Sequence, residues 1–307
     1  MVVDAARTAA VRAFTRSYTA ALGVLDEHLL RSPFSLTEAR VVYELAQRDV
    51  TEAADLRRSL GLDAGYLSRI LSRFETTGLV TRDRSGTDAR RQRIRLTPAG
   101  RDAFATLDAQ SSAQVGGLLG DLDDVEQGRL VDAMGTVRAV LGQWPATPVE
   151  PVLRGVQPGD LGWVVQRHGA LYAQEYGWDR TFEGLVARIV ADYAETADPV
   201  RENAWIAEIE GWRVGSVFLV ADDASTARLR LLLVEPAARG HGLGGRLVDE
   251  CVRFARDAGY TSITLWTNDV LVAAQRIYER AAFRLTGEQA HHSFGNDLVG
   301  QHWQLGL

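Results

Sequence analysis

The sequence predicts two domains of different class: an all-α N-terminal domain carrying one short antiparallel hairpin, then an α+β domain built on a mixed sheet. Three observations lead there. A chain of 307 residues with 46% apolar content exceeds what one core usually serves. Amphipathic helices fill most of the first half, whereas strands and helices intermix in the second. Between them, Trp144-Pro145-Ala146-Thr147-Pro148-Val149-Glu150-Pro151 places three prolines in a stiff linker and divides the chain into 1–143, 144–151 and 152–307.

Composition narrows the chemistry. All 34 basic residues are arginine, so Schiff-base lysines and the lysine of an NTPase phosphate loop are excluded. A single cysteine, Cys251, cannot form an intramolecular disulfide, and no N-terminal apolar run reads as a signal peptide or a membrane span. A cytoplasmic protein without a membrane partner is expected. The net charge of −6 is uneven: residues 48–100 hold 11 arginines against 7 carboxylates, a basic segment suited to nucleic acid.

Apolar positions at Ala10, Phe14, Ala21, Val24, Leu25 and Leu29 predict a first helix over 7–30, stopped by Pro33. Ser35-x-x-Glu38 is a capping box that opens a helix through Arg48, and Thr51 is expected to cap another through Leu60. From Asp63, Leu67, Ile70, Leu71 and Phe74 form the apolar stripe of a half-buried helix closed by Gly78. Its other face carries Tyr66, Ser68, Arg69, Ser72 and Arg73, hydroxyls and guanidiniums able to read a major groove. Leu79-Val80 and Ile94-Arg95-Leu96 read as strands flanking a polar loop with Arg90 and Arg91 at its tip. Thr97 and Pro98 start a long helix, and a last one spans about Asp123 to Leu141.

Gly78-Leu79-Val80, Asp88-x-Arg90 and Leu96-Thr97-x-x-Gly100 together resemble the MarR family of winged helix-turn-helix regulators, over roughly residues 8–143. The resemblance implies that Tyr66, Ser68, Arg69, Ser72 and Arg73 face double-stranded DNA, with Arg90 and Arg91 on the wing. It also implies a homodimer, built by the first and last helices, that spans a palindromic operator.

In the second half a strand is expected over 152–157, helices from Pro158 to Ala173 and from Thr181 to Glu195, and strands over 204–210, 212–221 and 227–234. A glycine-rich loop follows, then a helix to Ala258, a strand over 261–267, a helix over 270–281 and two strands near 283–288 and 302–305. Gly240-His241-Gly242-Leu243-Gly244-Gly245 matches G-x-G-x-x-G, but Glu235 to Arg239 separate it from its strand, where a dinucleotide turn is tight. Only one βαβ unit surrounds the loop, which also argues against a dinucleotide site. Glycines ahead of a helix N-terminus still describe a phosphate cradle.

Arg239-x-x-Gly242-x-Gly244 after Val234-x-Pro236 resembles the pyrophosphate motif of the GNAT acetyltransferase superfamily. Asn268, Ala273, Ala274, Tyr278-Glu279-Arg280 and Phe283 resemble its second cofactor segment, with Ala282 in place of the usual glycine. The resemblance covers about 152–307 and implies acetyl-CoA as cofactor. Its pyrophosphate would meet Arg239, Gly240, His241, Gly242, Leu243, Gly244 and Gly245, and its pantetheine would lie along Leu232, Leu233 and Val234 near Asn268. Tyr278 stands at the family's acid position, where its phenol can donate to the leaving thiolate. Glu175, Glu208 and His168 are candidate bases for a small-molecule amine. His168, Tyr172, Tyr176, Trp178 and Trp205, with His291 and His292, are the candidates to line its cleft, expected to favour a compact cationic or amphipathic amine. The histidine pair lacks a third spaced ligand, so no metal is expected. These features describe a DNA-binding regulator fused to an N-acetyltransferase, or alternatively a regulator whose second domain only senses acetyl-CoA or another ligand. Retention of Tyr278 and Asn268 favours turnover.

Overall fold

The computed structural model describes residues 4–21, 32–84, 92–143 and 150–307. They form two compact units, Met1–Gln127 and Gly128–Leu307. The first contains α1 (Ala5–Ala21), α2 (Leu36–Ala46), α3 (Ala53–Leu60), α4 (Ala64–Thr76) and α5 (Pro98–Gly120), with β1 (Thr51–Glu52), β2 (Val80–Arg84) and β3 (Gln92–Leu96). Ser35 and Glu38 form the expected capping box on α2, and Asp63 accepts the N–H groups of Gly65 and Tyr66 at the start of α4. Leu67, Ile70, Leu71 and Phe74 join Val41, Val42, Leu45 and Ile94 in one core. Thr51 departs from expectation. It caps nothing; it is buried and extended, pairing with Ile94 in a third strand beside the hairpin, in the order β1-β3-β2. The second half of the expected first helix, and the hairpin tip with Arg90 and Arg91, lie outside the described residues.

The second unit takes in α6 (Asp124–Val140) from Gly128 onward. There Gly135 lies flat against the indole of Trp212, so close that a Cβ would come within 2.2 Å of its ring. Arg138 pairs with Glu210 at 2.5 Å, and Asp132 pairs with Arg213. The expected linker, 144–151, follows this helix, and its residues 144–149 are outside the described set.

The remainder runs β4 (Val152–Gly155), α7 (Asp160–Tyr176), α8 (Arg180–Thr196), β5 (Asn203–Ile209), β6 (Trp212–Ala221), β7 (Thr226–Val234), α9 (Leu243–Asp257), β8 (Ser262–Asn268), α10 (Val272–Arg280), β9 (Arg284–Ser293) and β10 (Asn296–Gly306). Among the described residues, seven strands form one sheet in the order β4-β5-β6-β7-β8-β10-β9, and only β7 and β8 are parallel, joined through α9. This is the mixed α+β sheet that the sequence predicts. Leu247, Val248 and Cys251 of α9 cover one face, while Val164 of α7 and Phe182 and Val186 of α8 cover the other against Phe218. The final hairpin is longer than expected. It turns at Phe294-Gly295, both left-handed, and His291 and His292, which fall between the two strands expected near 283–288 and 302–305, lie inside β9. Polar residues obscure β9 in the sequence because it is the edge strand, where water rather than a second layer meets the outer side chains.

The segment Leu96-Thr97-x-x-Gly100 acts as a joint between hairpin and helix. Thr97 Oγ1 donates to the Gly78 carbonyl at 2.6 Å and accepts the N–H of Gly100 at 3.0 Å, while a Cβ on Gly100 would sit 2.1 Å from the Leu79 carbonyl oxygen. Gly100→Ala is therefore expected to lower the stability of the N-terminal unit by about 2 kcal/mol through backbone displacement. Urea denaturation followed by far-UV circular dichroism checks this; an unchanged midpoint would show that the joint yields without cost.

Candidate active site

The site begins with a defect in the sheet. β7 pairs with β8 only from Thr226 to Leu229, opposite Ser262 to Leu265. Beyond Leu229 the two strands part. The cause lies on the other side of β7, where the register with β6 shifts between Ser216 and Phe218 and Leu231 adopts φ 52°. Ser216, fully buried, holds the bulge by donating its hydroxyl to the Leu231 carbonyl at 3.0 Å. Parting leaves the edge of β7 from Arg230 to Val234 without a strand partner and opens a cleft of about 750 Å³. Tyr172, Trp178, Leu231, Leu232, Asn268 and Tyr278 are among its lining residues.

At the end of β7 the glycine loop turns into α9. Gly240 and Gly242 are left-handed, at φ 83° and 77°, a conformation that other residues adopt at a cost. The helix's own bonding starts with the Arg246 N–H on the Gly242 carbonyl. Among the described residues no main-chain acceptor takes the N–H groups of Leu243, Gly244 and Gly245. A Cβ at Gly240, Gly242 or Gly245 would meet nothing within 4 Å. Gly244 is different: its Cβ would lie 2.6 Å from Ile277 Cδ1, so it lets α9 approach α10. Uncommitted donors, open space and the positive end of a helix dipole fit a phosphate.

Two ion pairs brace this loop. Arg167 grips buried Glu235 through Nε and Nη2, the latter at 2.8 Å. Arg239 donates to the Val234 carbonyl at 3.1 Å and pairs with Glu175 at 2.9 Å. The main-chain N–H of Arg239 is also engaged, on the Pro236 carbonyl at 3.3 Å, so the run of expected main-chain phosphate donors starts after it.

The candidate bases separate. Glu175 is committed to Arg239, and Glu208 accepts two bonds from Arg154, at 2.9 and 2.5 Å; neither lines the cleft. Both carboxylates are held in ion pairs outside the cleft lining. His168 does line the cleft but is 99% covered: its Nδ1–H donates to the Val164 carbonyl at 2.8 Å, leaving Nε2 without a partner. Burial pushes its pKa down to about 4, against the opposing effect of the Val164 bond. Burial also raises the pKa of Tyr278, with further contributions from Tyr172 and Cys251. The Tyr278 hydroxyl makes no hydrogen bond to a described residue.

The expected aromatic lining is partly correct. Tyr172 and Trp178 line the cleft, their ring centroids 5.0 Å apart. Tyr176 packs against both rings at a tilt, outside the lining. Trp205 is a correction: it points to the opposite face of the sheet and packs edge-on against Phe254 in the core beneath α9. His292 is exposed and paired with Asp297, whereas His291 donates to the buried Asn268 side chain at 2.9 Å. Leu233 is buried in the core under α9, which leaves only its main chain for a ligand. The site also contains groups absent from the sequence-based candidates: Ser216, Arg167, Glu235, Trp266 and Arg230. The period of Arg228-Leu229-Arg230 carries a usable signal, because alternation places both arginines on the face opposite buried Leu229.

On the N-terminal unit, Tyr66, Ser68, Arg69 and Ser72 occupy the exposed face of α4, with the Arg69 guanidinium 5.7 Å from the Tyr66 ring centroid. Arg73 is also exposed but pairs with Glu38 at 2.6 Å, and the Ser72 hydroxyl accepts a bond from Arg82.

Comparison with known proteins agrees with this geometry. The acetyltransferase (GNAT) family matches residues 170–283, and the MarR family matches residues 32–91. Human N-acetyltransferase 8B is 36% identical over 103 residues, 32% of this chain and 45% of that protein. An N-acetyltransferase of Schizosaccharomyces pombe is 30% identical over 41% of this chain and 77% of its own length. The N-acetylaspartate synthetase of Danio rerio is 34% identical over 29% of this chain and 32% of that protein. The chain thus spans less than half of the human and zebrafish relatives and about three quarters of the yeast one.

His168 makes the second unit acid-sensitive. Its folded pKa, about 4, lies below the unfolded value of 6.5, so the unfolded chain binds the extra proton first as pH falls. Stability is fully present above pH 6.5 and is lost between there and pH 4, by about 3 kcal/mol from this group. Denaturation midpoints across that range should fall less steeply in His168→Gln; parallel profiles for the two proteins would overturn the assignment.

Proposed function

The chain belongs to the GNAT acetyltransferase family and carries a MarR-family segment ahead of that domain; from that premise we propose that it transfers the acetyl group of acetyl-CoA to a small-molecule amine and binds DNA through its N-terminal unit. The observation that carries the catalytic reading is the parting of β7 and β8, with Tyr278 lining the gap. GNAT acetyltransferases use acetyl-CoA, which supplies a thioester open to attack by an amine. The free edge from Arg230 to Val234 can hydrogen-bond an extended pantetheine as a further strand would. The N–H groups of Leu243, Gly244 and Gly245 suit its pyrophosphate. Tyr172, Trp178 and Phe182 exclude water from the gap. Tyr278, kept protonated by burial, would be the group that donates a proton to the departing sulfur.

No free carboxylate lines the cleft among the described residues: Asp222 does, and it is paired with Arg228. The acceptor amine therefore enters as its free base and loses its proton to water after attack. The zebrafish relative is named for making N-acetylaspartate, an acetylated small molecule, which supports an acceptor of that size.

For the N-terminal unit, the exposed hydroxyl and guanidinium face of α4 supports contact with DNA bases. α1 has no buried residue and exposes Val11 and Phe14, which fits a helix covered by a second copy. A homodimer of this kind would space two α4 helices on a palindromic operator.

Free-thiol release from acetyl-CoA over a panel of amines tests the enzyme. Tyr278→Phe should lower kcat on the order of 100-fold while calorimetric acetyl-CoA affinity stays within a few-fold. Gly242→Val should remove that binding, and NADH should give no heat. Acetyl-CoA binding without acceptor-dependent release from any amine would replace turnover with sensing.

DNA binding is tested by anisotropy on the region upstream of the protein's own gene. Arg69→Ala should weaken binding roughly 10- to 100-fold at constant salt, and undiminished binding would remove α4 from the interface.

A further inference from the structure

We infer that the acceptor amine also carries a carboxylate and that Arg230 anchors it. This inference rests on the acetyl-transfer reading above. Among the described residues, three that are charged at neutral pH line the cleft: Asp222, Arg228 and Arg230. Arg228 and Asp222 neutralise one another, their charged atoms 2.6 Å apart. Arg230 is half-buried and has neither a salt bridge nor a hydrogen bond to a described residue; Asp192 and Asp222 act on it only at longer range. Burial first, and then the neighbouring Arg228, push its pKa downward. The fold thus maintains a guanidinium where its charge is disfavoured, and a bound anion reverses that imbalance.

Place and company favour a carboxylate on the acceptor over an anion elsewhere. Arg230 immediately follows Leu229, the last residue of β7 paired with β8, and precedes the bulge residue Leu231, so its side chain enters the cleft beside the point where an acceptor must present its amine. From β8 the indole of Trp266, 41% exposed, lines the same cleft, and Leu185 and Ile189 of α8 line it as well. A guanidinium binds a carboxylate through two parallel N–H bonds, and an open indole with two aliphatic side chains takes an apolar substituent. The matching acceptor has an amine, a carboxylate and an apolar or aromatic side chain, as an apolar amino acid does. Of the compact cationic or amphipathic amine expected from sequence, the amphipathic kind fits this lining and the purely cationic kind fits poorly, because the charge that lines the cleft is net positive.

The test compares L-phenylalanine, L-phenylalaninamide and 2-phenylethylamine as acceptors for the full chain, by CoA thiol release and by calorimetric binding in the presence of CoA. In the unaltered protein, phenylalanine should exceed both carboxylate-free analogues at least 10-fold in kcat/KM and in affinity. Arg230→Met should cut kcat/KM for phenylalanine about 100-fold, mainly through KM, and change the two analogues less than 3-fold. Arg230→Lys should recover part of the loss, and Arg228→Met should lose less than Arg230→Met. Comparing each variant across acceptors cancels differences in amine basicity, and circular dichroism checks folding. Equal use and equal binding of the three compounds, binding of none of them, or an equal loss on all three in Arg230→Met would overturn the anchor. Carboxylate-dependent binding that disappears in Arg230→Met, without thiol release from any acceptor, would uphold the anchor and overturn the transfer reading instead.

Discussion

The catalytic unit depends on one hydrogen bond, from the Ser216 hydroxyl to the Leu231 carbonyl. Main-chain groups in a sheet otherwise find partners on both sides, and β7 would zip onto β8 along its whole length. The bulge at Leu231 prevents this by turning the strand, and the buried hydroxyl takes up a carbonyl that the shifted register leaves aside. Several features follow from that displacement: the free edge, the cleft, and the direction in which the strand delivers the glycine loop. The grip of Arg167 on Glu235 then fixes the end of the strand just before the loop. A polar residue buried in a central strand is costly unless bonded, so Ser216 is explained by the carbonyl that it satisfies.

Arginine carries out the internal bracing in a chain without lysine. Arg154 joins Asp160 to Glu208, and Arg213 joins the same Asp160 to Asp132 of α6. Burial works against the charge on Asp160, yet bonds from Arg154, the Gln157 N–H and Arg213 hold its pKa below the usual carboxylate range. Planar guanidiniums can bridge two carboxylates in fixed geometry, which a compact ammonium does less well. The same habit engages two of the base candidates in ion pairs. Glu208 belongs to this network and Glu175 to the loop brace, so the carboxylates nearest to the site by fold are occupied in holding it together.

What could be read in the sequence was whatever depends on local spacing. The capping box at Ser35, the stripe on α4 and the glycines before α9 are decided by residues within a turn or two of one another, and the structure contains them all. The site's polar partners are not local. Arg154 and Glu208 are 54 residues apart, and Arg167 and Glu235 are 68 apart, so neither residue signals the other in a one-dimensional pattern. Trp205 illustrates the related error of face: an aromatic in an apolar strand can serve either side of a sheet buried on both, and only packing against Phe254 decides it. The bulge was hidden as well, since leucine at Leu231 gives no sign of the left-handed backbone that glycine would have advertised. Thr51 was misread because a β-branched residue with a hydroxyl suits both a helix cap and a strand.

The cleft is also an electrostatic statement. Burial keeps His168 uncharged and Tyr172 and Tyr278 protonated, while Asp222 cancels Arg228. Each of these groups can donate or accept a hydrogen bond without adding a field of its own. Among the described residues that line the cleft, one charge then remains unpaired and dominates the potential that an incoming molecule meets, and that charge is Arg230. An ammonium is repelled by the same field, so the site discriminates against the protonated amine while attracting an anionic group on the same molecule. Selection of a reactive free base and recognition of a carboxylate are thereby two consequences of one unpaired guanidinium, placed where β7 parts from β8.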